Sequence, residues 1–270
     1  MEPRFDAEKW LAGLGFVAAV AVVFGLIAWN DAEIAASRES AARLGHNSDA
    51  ALATGPVAYL RLGEIAGKLA VNVGKQSRVK GAYIDGVART TTGVSLDGDP
   101  AIQLNGISSG VKLRRVRLGR SFTALVWVRS AAPTWNQNGW IISARNPSGF
   151  IVHPIKGKTD VAIYMTSGQG GSKTRKIATV KPTDITQWHQ YGVMYDEAEK
   201  TAYAILDGRI VDEMSYLPSL RQKTSVLSIA LGYDDCCGGG RHGRGAIDEF
   251  TLFDRVLSQD ELAGLMGKSP

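Results

Sequence analysis

Only two cysteines occur in 270 residues, and they are neighbours, Cys236 and Cys237 in YDDCCGGGRHG. A scaffold held by several disulfides is excluded, and a Cys-x-x-Cys zinc site is absent, with His242 the one extra ligand nearby. Adjacent Cα atoms lie about 3.8 Å apart, below the usual disulfide range, so a ring joining the pair is strained. A vicinal disulfide, two free thiols, and a metal or intermolecular link are all compatible with the pair. The phrase GISSG at 106–110 has the Gly-x-Ser-x-Gly spacing, but it lies between two strand-like runs rather than before a helix, so no nucleophile elbow accompanies the four histidines. The acids that come closest together, Asp196, Glu197 and Glu199, share a turn-like stretch with Lys200, where acids are solvated. Catalysis is therefore not expected, and no cofactor is implied by the motifs. No Asn-x-Ser/Thr acceptor follows Asn30, which agrees with a bacterial source.

What is present begins with twenty uncharged residues, Trp10 to Trp29 (WLAGLGFVAAVAVVFGLIAW). At about 1.5 Å rise per residue such a helix spans about 30 Å, the thickness of bilayer hydrocarbon, and indoles favour both interfaces. A cleaved export signal would have a basic start, a shorter apolar run and a small-x-small cleavage site, all missing here. The run reads as one transmembrane helix with Trp10 and Trp29 at the membrane interfaces. Arg4 and Lys9 precede it, whereas Asp31 and Glu33 follow before Arg38, so residues 1–9 are expected in the cytoplasm. The remainder is then periplasmic, on a bacterial inner membrane crossed once.

Residues 30–54 are Ala-rich with scattered charge and read as a short helical stalk ending in a hinge near Gly45 to Ser48. From Gly55 the character changes to short runs of Val, Ile, Thr, Tyr and Trp, broken by turn residues about every ten positions. That pattern predicts an all-β domain over 55–270, a two-sheet antiparallel sandwich. In SFTALVWVRS, Phe122, Ala124, Val126 and Val128 share one face and Thr123, Leu125, Trp127 and Arg129 the other. Further strands are expected at 139–143, 149–155, 160–165, 188–196 and 226–232. Asp207-Gly208 marks a tight hairpin, and Ser258 with Glu261 forms a capping box that starts a short closing helix.

The net charge is +5, and the bases are clumped: Lys112, Arg114, Arg115, Arg117 and Arg120 fall within ten residues. Such a patch suits anionic headgroups or an acidic partner, while its plainest reading is a strand edge kept from aggregating by charge. No nucleic-acid-binding motif accompanies it.

In order, PVAYLRLGE (56–64), VSLDGDPAIQL (94–104), SFTALVWVRS (121–130), QWHQYGVMYD (187–196), AYAILDGRIV (202–211) and GAIDEFTLFDRVLSQDEL (245–262) resemble the laminin-G-like, concanavalin A-like jelly-roll family. The resemblance covers most of 55–266. It implies a jelly roll with Trp127, Trp188 and Phe250 in the core, and His189 as a hydrogen-bonded structural residue. Hydrolytic relatives carry a Glu-x-Asp-x-x-Glu phrase that this chain lacks. The family often holds one structural calcium, for which Asp97, Asp99 and Asp248 are the candidates, with Asp234 and Asp235 beside them. One departure is that AVNVGKQSRVKGAY, at 70–83, is basic where relatives commonly show Asp, Ser and Gly.

Two functional readings follow. In the first the anchored sandwich is a non-catalytic interaction module, an accessory or scaffolding subunit of a larger inner-membrane complex of respiratory, photosynthetic or secretion type, contacting membrane lipid and a membrane-protein or envelope partner. In the second it is a lectin-like module tethering the envelope to glycan. TWNQNGW at 134–140 supplies the matching expectation, with Trp135 and Trp140 as exposed stacking platforms and Asn136 and Asn138 as hydrogen-bonding groups, while the same loop equally reads as tryptophans folded back onto the sandwich edge. A protein partner is served by the same loop.

Overall fold

The structure, a computed structural model, describes residues 46–94, 99–145, 149–167, 173–215, 227–234 and 240–266. The run 10–29, the segment before it, residues 30–45 of the expected stalk, Asp97, Asp235 and the Cys236-Cys237 pair lie outside the described residues. Among the described residues no helix is long and apolar enough to cross a membrane.

Two antiparallel sheets face each other, as the alternation predicts. The first runs β14 (Arg209–Met214), β13 (Thr201–Leu206), β12 (His189–Asp196), β7 (Phe122–Ser130), β18 (Arg244–Phe253), β5 (Pro100–Asn105) and β4 (Ala88–Thr92), with β1 (Ala58–Leu60) also paired to β18. The second runs β11 (Lys173–Val180), β10 (Val161–Ser167), β9 (Gly149–Pro154), β8 (Ile142–Ala144), β15 (Leu227–Leu231), β6 (Gly110–Val116), β3 (Lys80–Ile84) and β2 (Leu69–Ala70). A small ladder, β16 (Tyr233–Asp234) with β17 (Arg241–His242), lies beside them.

The main core lies between the sheets and takes Phe122, Ala124, Val126 and Val128 from β7, Tyr191, Val193 and Tyr195 from β12, and Phe150 and Val152 from β9. Phe122 and Phe150 stack across the gap with ring centroids 5.1 Å apart. Phe250 joins them as expected, but Trp127 does not. With its parity opposite to Val126 and Val128, Trp127 is buried on the outer face of the first sheet. Trp188 is half-buried, with the Arg129 guanidinium 5.2 Å above its ring.

The outer face of the first sheet is apolar too, and two helices cover it. Tyr59, Leu125, Met194, Ile205 and Phe253 pack there against Ala51 of α1 (His46–Thr54) and Leu262 and Leu265 near α2 (Gln259–Gly264). The capping box is formed as the sequence requires, Ser258 Oγ accepting from the Glu261 amide and Glu261 accepting from the Ser258 amide. Arg255 binds Glu261 through both terminal nitrogens and donates to the Thr54 carbonyl, tying α2 to α1. Ser48, placed by the sequence in a hinge, is fully buried in α1. Residues 46–54, ahead of the expected start at 55, are packed on the sandwich, because α1 covers part of the outer apolar layer.

At the hairpin, Asp207 and Gly208 have φ of 50° and 68°, the positive pair a type I′ turn needs. The Asp207 carboxylate accepts from the Gln190 amide at 2.9 Å and meets His189 Nδ1 at 2.8 Å, while His189 Nε2 faces the Asp184 carbonyl at 3.0 Å. Burial alone would lower the His189 pKa, but the Asp207 hydrogen bond and charge and the Asp184 carbonyl raise it. His189 is thus a structural residue that pins the hairpin.

Candidate functional site

The 134–140 loop is stitched into the fold at every predicted ligand position. Trp135 Nε1 donates to the Thr159 carbonyl at 3.0 Å, and its ring meets Trp140 edge-on at 5.3 Å. Asn136 donates to the His242 carbonyl at 3.0 Å and accepts from the Arg244 amide at 2.9 Å, and Asn138 accepts from the Lys156 amide at 2.8 Å. Trp135 and Trp140 are 1% and 0% exposed. Of the two readings of this loop, exposed stacking platforms are corrected and tryptophans folded back onto the sandwich are found: burying two indoles in the core outweighs any gain from leaving them in water.

The calcium candidates also turn inward. β18 carries a bulge between Asp248 and Thr251, where its partner changes from β5 to β1, and Glu249 there has φ of 50°. One extra residue lets Asp248 and Glu249 both sit away from the main core. Asp248 accepts from the Val94 and Glu249 amides at 2.8 and 3.0 Å. Glu249 accepts from the Tyr59 hydroxyl and from Ser48 Oγ on α1. Arg61 lies among them, 2.6 Å from Asp99 and 3.7 Å from Glu249. A methyl group on Gly63 would fall 2.2 Å from Asp99 Oδ1, so glycine lets the segment after β1 pass this close to the carboxylate.

Burial, and then the neighbouring Glu249 charge, push the Asp248 pKa well above the usual carboxylate range. Burial raises Glu249 to about 7, against the Tyr59 hydrogen bond and the Arg61 charge. Glu64 is a third buried acid with a raised pKa, again through burial, and it accepts from the Tyr83 hydroxyl and the Val71 amide. A divalent ion does not fit Asp99 and Asp248: Asp99 is already met by the Arg61 guanidinium, and Asp248 is fully buried and accepts from two backbone amides. Among the described residues no three His, Cys, Asp or Glu side chains are arranged to hold a metal. Asp234 is occupied likewise, accepting from Ser143 Oγ at 2.9 Å and Arg145 at 2.8 Å.

The basic stretch is where the surface opens. Lys112, Arg114, Arg115 and Arg117 belong to or follow β6, which lies inside the second sheet between β15 and β3, so the expected strand edge is corrected. The ladder between β15 and β6 shifts register between Leu227 and Ile229, opposite Val116 and Leu113, and Arg115 takes φ of 62°. Strict alternation would point Arg115 into the core with Leu113. The bulge instead leaves Arg114 and Arg115 both exposed and returns Val116 to the interior. A left-handed arginine costs on the order of 1–2 kcal/mol, so the aim of this side chain is maintained against strain.

The second wall comes from the basic loop at 70–83. Its backbone is fixed to the two residues just before β1, with Lys75 donating to the Pro56 carbonyl at 3.0 Å and Gln76 to the Val57 carbonyl at 2.8 Å. The Gln76 side chain donates to the Arg117 carbonyl at 2.9 Å and accepts from the Arg117 amide at 3.1 Å, joining the two walls. Between them lies a groove of about 570 Å³ lined by Lys75, Gln76, Ser77, Arg78, Arg115 and Arg117. Four cations line it, with no carboxylate and no aromatic ring. None of the four forms an ion pair among the described residues. Arg114 and Arg120 are exposed beside it, outside the lining, and Lys112 is half-buried. Both walls were legible as basic segments, but nothing in the spacing showed that they meet.

A laminin G family model, that of the concanavalin A-like lectin/glucanases superfamily, matches residues 105–263, more than half of the chain. No curated protein matches. Among solved structures, domain 4 of AbnA, a GH43 extracellular arabinanase from Geobacillus stearothermophilus in complex with arabinotriose, is 16% identical with a TM-score of 0.59, over 78% of this chain and 98% of that one. The receptor binding domain of botulinum neurotoxin type G is 17% identical with a TM-score of 0.57, over 77% of this chain and 50% of that one. The binding domain of botulinum neurotoxin DC, in complex with rat synaptotagmin II, is 11% identical with a TM-score of 0.60, over 79% and 51%. The chain spans about half the length of these neurotoxin domains, and at such identities the likeness is one of fold.

Proposed function

The chain belongs to the concanavalin A-like lectin/glucanases superfamily, and from that premise we propose that it is a non-catalytic binding module whose ligand seat is the cationic groove. The observation that carries this reading is the groove itself: four cations, none in an ion pair among the described residues, held between β6 and the 70–83 segment, one of them against backbone strain. Hydrolysis of a glycoside needs two carboxylates flanking an accessible bond. The acids that converge here, Asp99, Asp248 and Glu249, are each less than 10% exposed. They support the fold rather than a reaction.

The AbnA domain carries a neutral sugar, arabinotriose. In this chain Trp135 and Trp140 are buried, and the groove offers no ring on which a neutral sugar can stack. Recognition therefore runs through charge, and the ligand is anionic. The run 10–29 serves as the tether that keeps the module at the outer surface of an inner membrane, and an acidic face of a neighbouring complex meets the same requirement.

The test is retention of the detergent-solubilised full chain on immobilised dextran sulphate against immobilised arabinan. Retention on the sulphated polymer, released by salt and weakened roughly tenfold or more by Arg78→Glu with Arg117→Glu, is expected, because two reversals set like charges against the ligand. Retention on arabinan alone, indifferent to both substitutions, would replace this reading with a neutral-glycan one.

A further inference from the structure

We propose that the groove takes the phosphate headgroups of anionic phospholipid in the membrane that holds the chain's own apolar run, so that the sandwich lies docked on the bilayer surface. This rests on the groove being an anion seat and on 10–29 being an anchor.

Three observations favour a phospholipid surface over a dissolved anion. First, the groove borders the point where the chain enters the sandwich. Lys75 donates to the Pro56 carbonyl, and its Nζ lies 2.6 Å from where a methyl group on Gly55 would be, directly after α1. Only residues 30–45 separate Trp29 from α1. Sixteen residues reach about 24 Å as a helix and at most about 55 Å extended, so the tether keeps this end of the domain near its own membrane.

Second, the cations continue past the groove. Lys80 on β3 stands directly opposite Arg114 on β6, and both are exposed. Like charges facing each other across a ladder are destabilising, and one small anion in the groove would leave that pair uncompensated. A bilayer presents phosphates in a continuous layer and meets both at once. Third, every residue that lines the groove is cationic or polar, which suits a phosphate headgroup. Cations near an anionic leaflet each shift the docked-to-free ratio by about fivefold.

The experiment uses the full chain reconstituted in nanodiscs of phosphatidylcholine or of phosphatidylglycerol, with lysine acylation rates read by mass spectrometry. Slower acylation of Lys75 and Lys80 by about tenfold or more is expected in phosphatidylglycerol discs, with Lys156, in the turn between β9 and β10, unchanged. Arg78→Glu with Arg117→Glu should restore the rate seen in phosphatidylcholine. Equal rates in the two kinds of disc would overturn the proposal. Equal protection in phosphatidylcholine discs by added glycerol phosphate would also overturn it, assigning the groove to a dissolved phosphate while leaving it an anion seat. A chain that is retained on dextran sulphate yet does not enter discs would remove the anchor, and this inference with it, without touching the proposed function.

Discussion

Replacing Trp140 by alanine is expected to destabilise the domain by about 3–5 kcal/mol, the usual cost of deleting a fully buried aromatic ring. For a domain of this size that lowers the melting temperature by roughly 10 °C. The ring is fully buried, meets Trp135 edge-on and lies against Gly243, where an added methyl group would sit 2.2 Å from two of its carbons. Gly243→Ala is accordingly expected to be destabilising as well, since the methyl group would run into a fully buried indole that has no room to yield. Urea unfolding of the full chain, followed by tyrosine and tryptophan fluorescence, measures both effects. Below the lowered melting temperature, retention of the Trp140→Ala protein on dextran sulphate should equal that of the parent. A variant of unchanged stability that had lost ligand retention would return the indole to the surface and the ligand site to the 134–140 loop.

That loop shows where reading the sequence fails. Two tryptophans separated by Asn, Gln and Gly carry no periodicity, and the polar residues between them suggest exposure. The structure uses those amides as ties, Asn136 to His242 and Arg244, Asn138 to Lys156, and these partners lie too far along the chain for any local pattern to reveal. Features with a local cause were legible: the β7 alternation, the Asp207-Gly208 turn, the Ser258-Glu261 box and the structural role of His189. The helix at 46–54 begins where the sequence suggested a hinge, because its docking depends on Ser48 meeting Glu249, 201 residues away. The groove was half legible. Each of its walls is a basic segment, yet the bulge that turns Arg115 outward and the Gln76 bridge to Arg117 are consequences of sheet register and exist only in the folded chain.

The two charged regions have opposite logic. In the groove the cations face water, where unpaired charge costs little and a ligand can reach it. Beneath α1 the acids Asp99, Asp248 and Glu249 gather around the single Arg61 guanidinium with water excluded, and charge there must be neutralised internally. The interior cluster responds to protons and the surface groove to salt and ligands, so the two are separable by experiment.

The stability of the protein is therefore expected to fall as pH rises from about 5 to 8. Glu249 binds its proton up to about pH 7 in the folded state, against 4.5 as its ordinary value. Between those values the folded chain holds more protons than the unfolded one, so each step up in pH favours unfolding, by a total on the order of 2–4 kcal/mol. Asp248 and Glu64, also raised, act in the same direction. His189 adds to it, since a raised histidine stabilises below its ordinary pKa and loses that contribution as pH passes the folded value. On the acid side Glu261, lowered to about 2 chiefly by its hydrogen bond from Arg255, stabilises only above its ordinary value of 4.5 and loses that as pH drops. Melting temperatures across pH 4–9 should peak near 5. Glu249→Gln keeps the shape of the protonated acid, one oxygen that accepts and one group that donates toward Tyr59 and Ser48, while removing the titrating charge, and is expected to flatten the alkaline limb; His189→Gln should remove only the smaller part. Arg61→Met strips the cluster of its cation and should cost about 3–5 kcal/mol, more at pH 8 than at pH 5, where protonated acids need no partner. A melting temperature that rises between pH 5 and 8, or an Arg61→Met penalty independent of pH, would mean that these acids are ionised and compensated by groups other than Arg61.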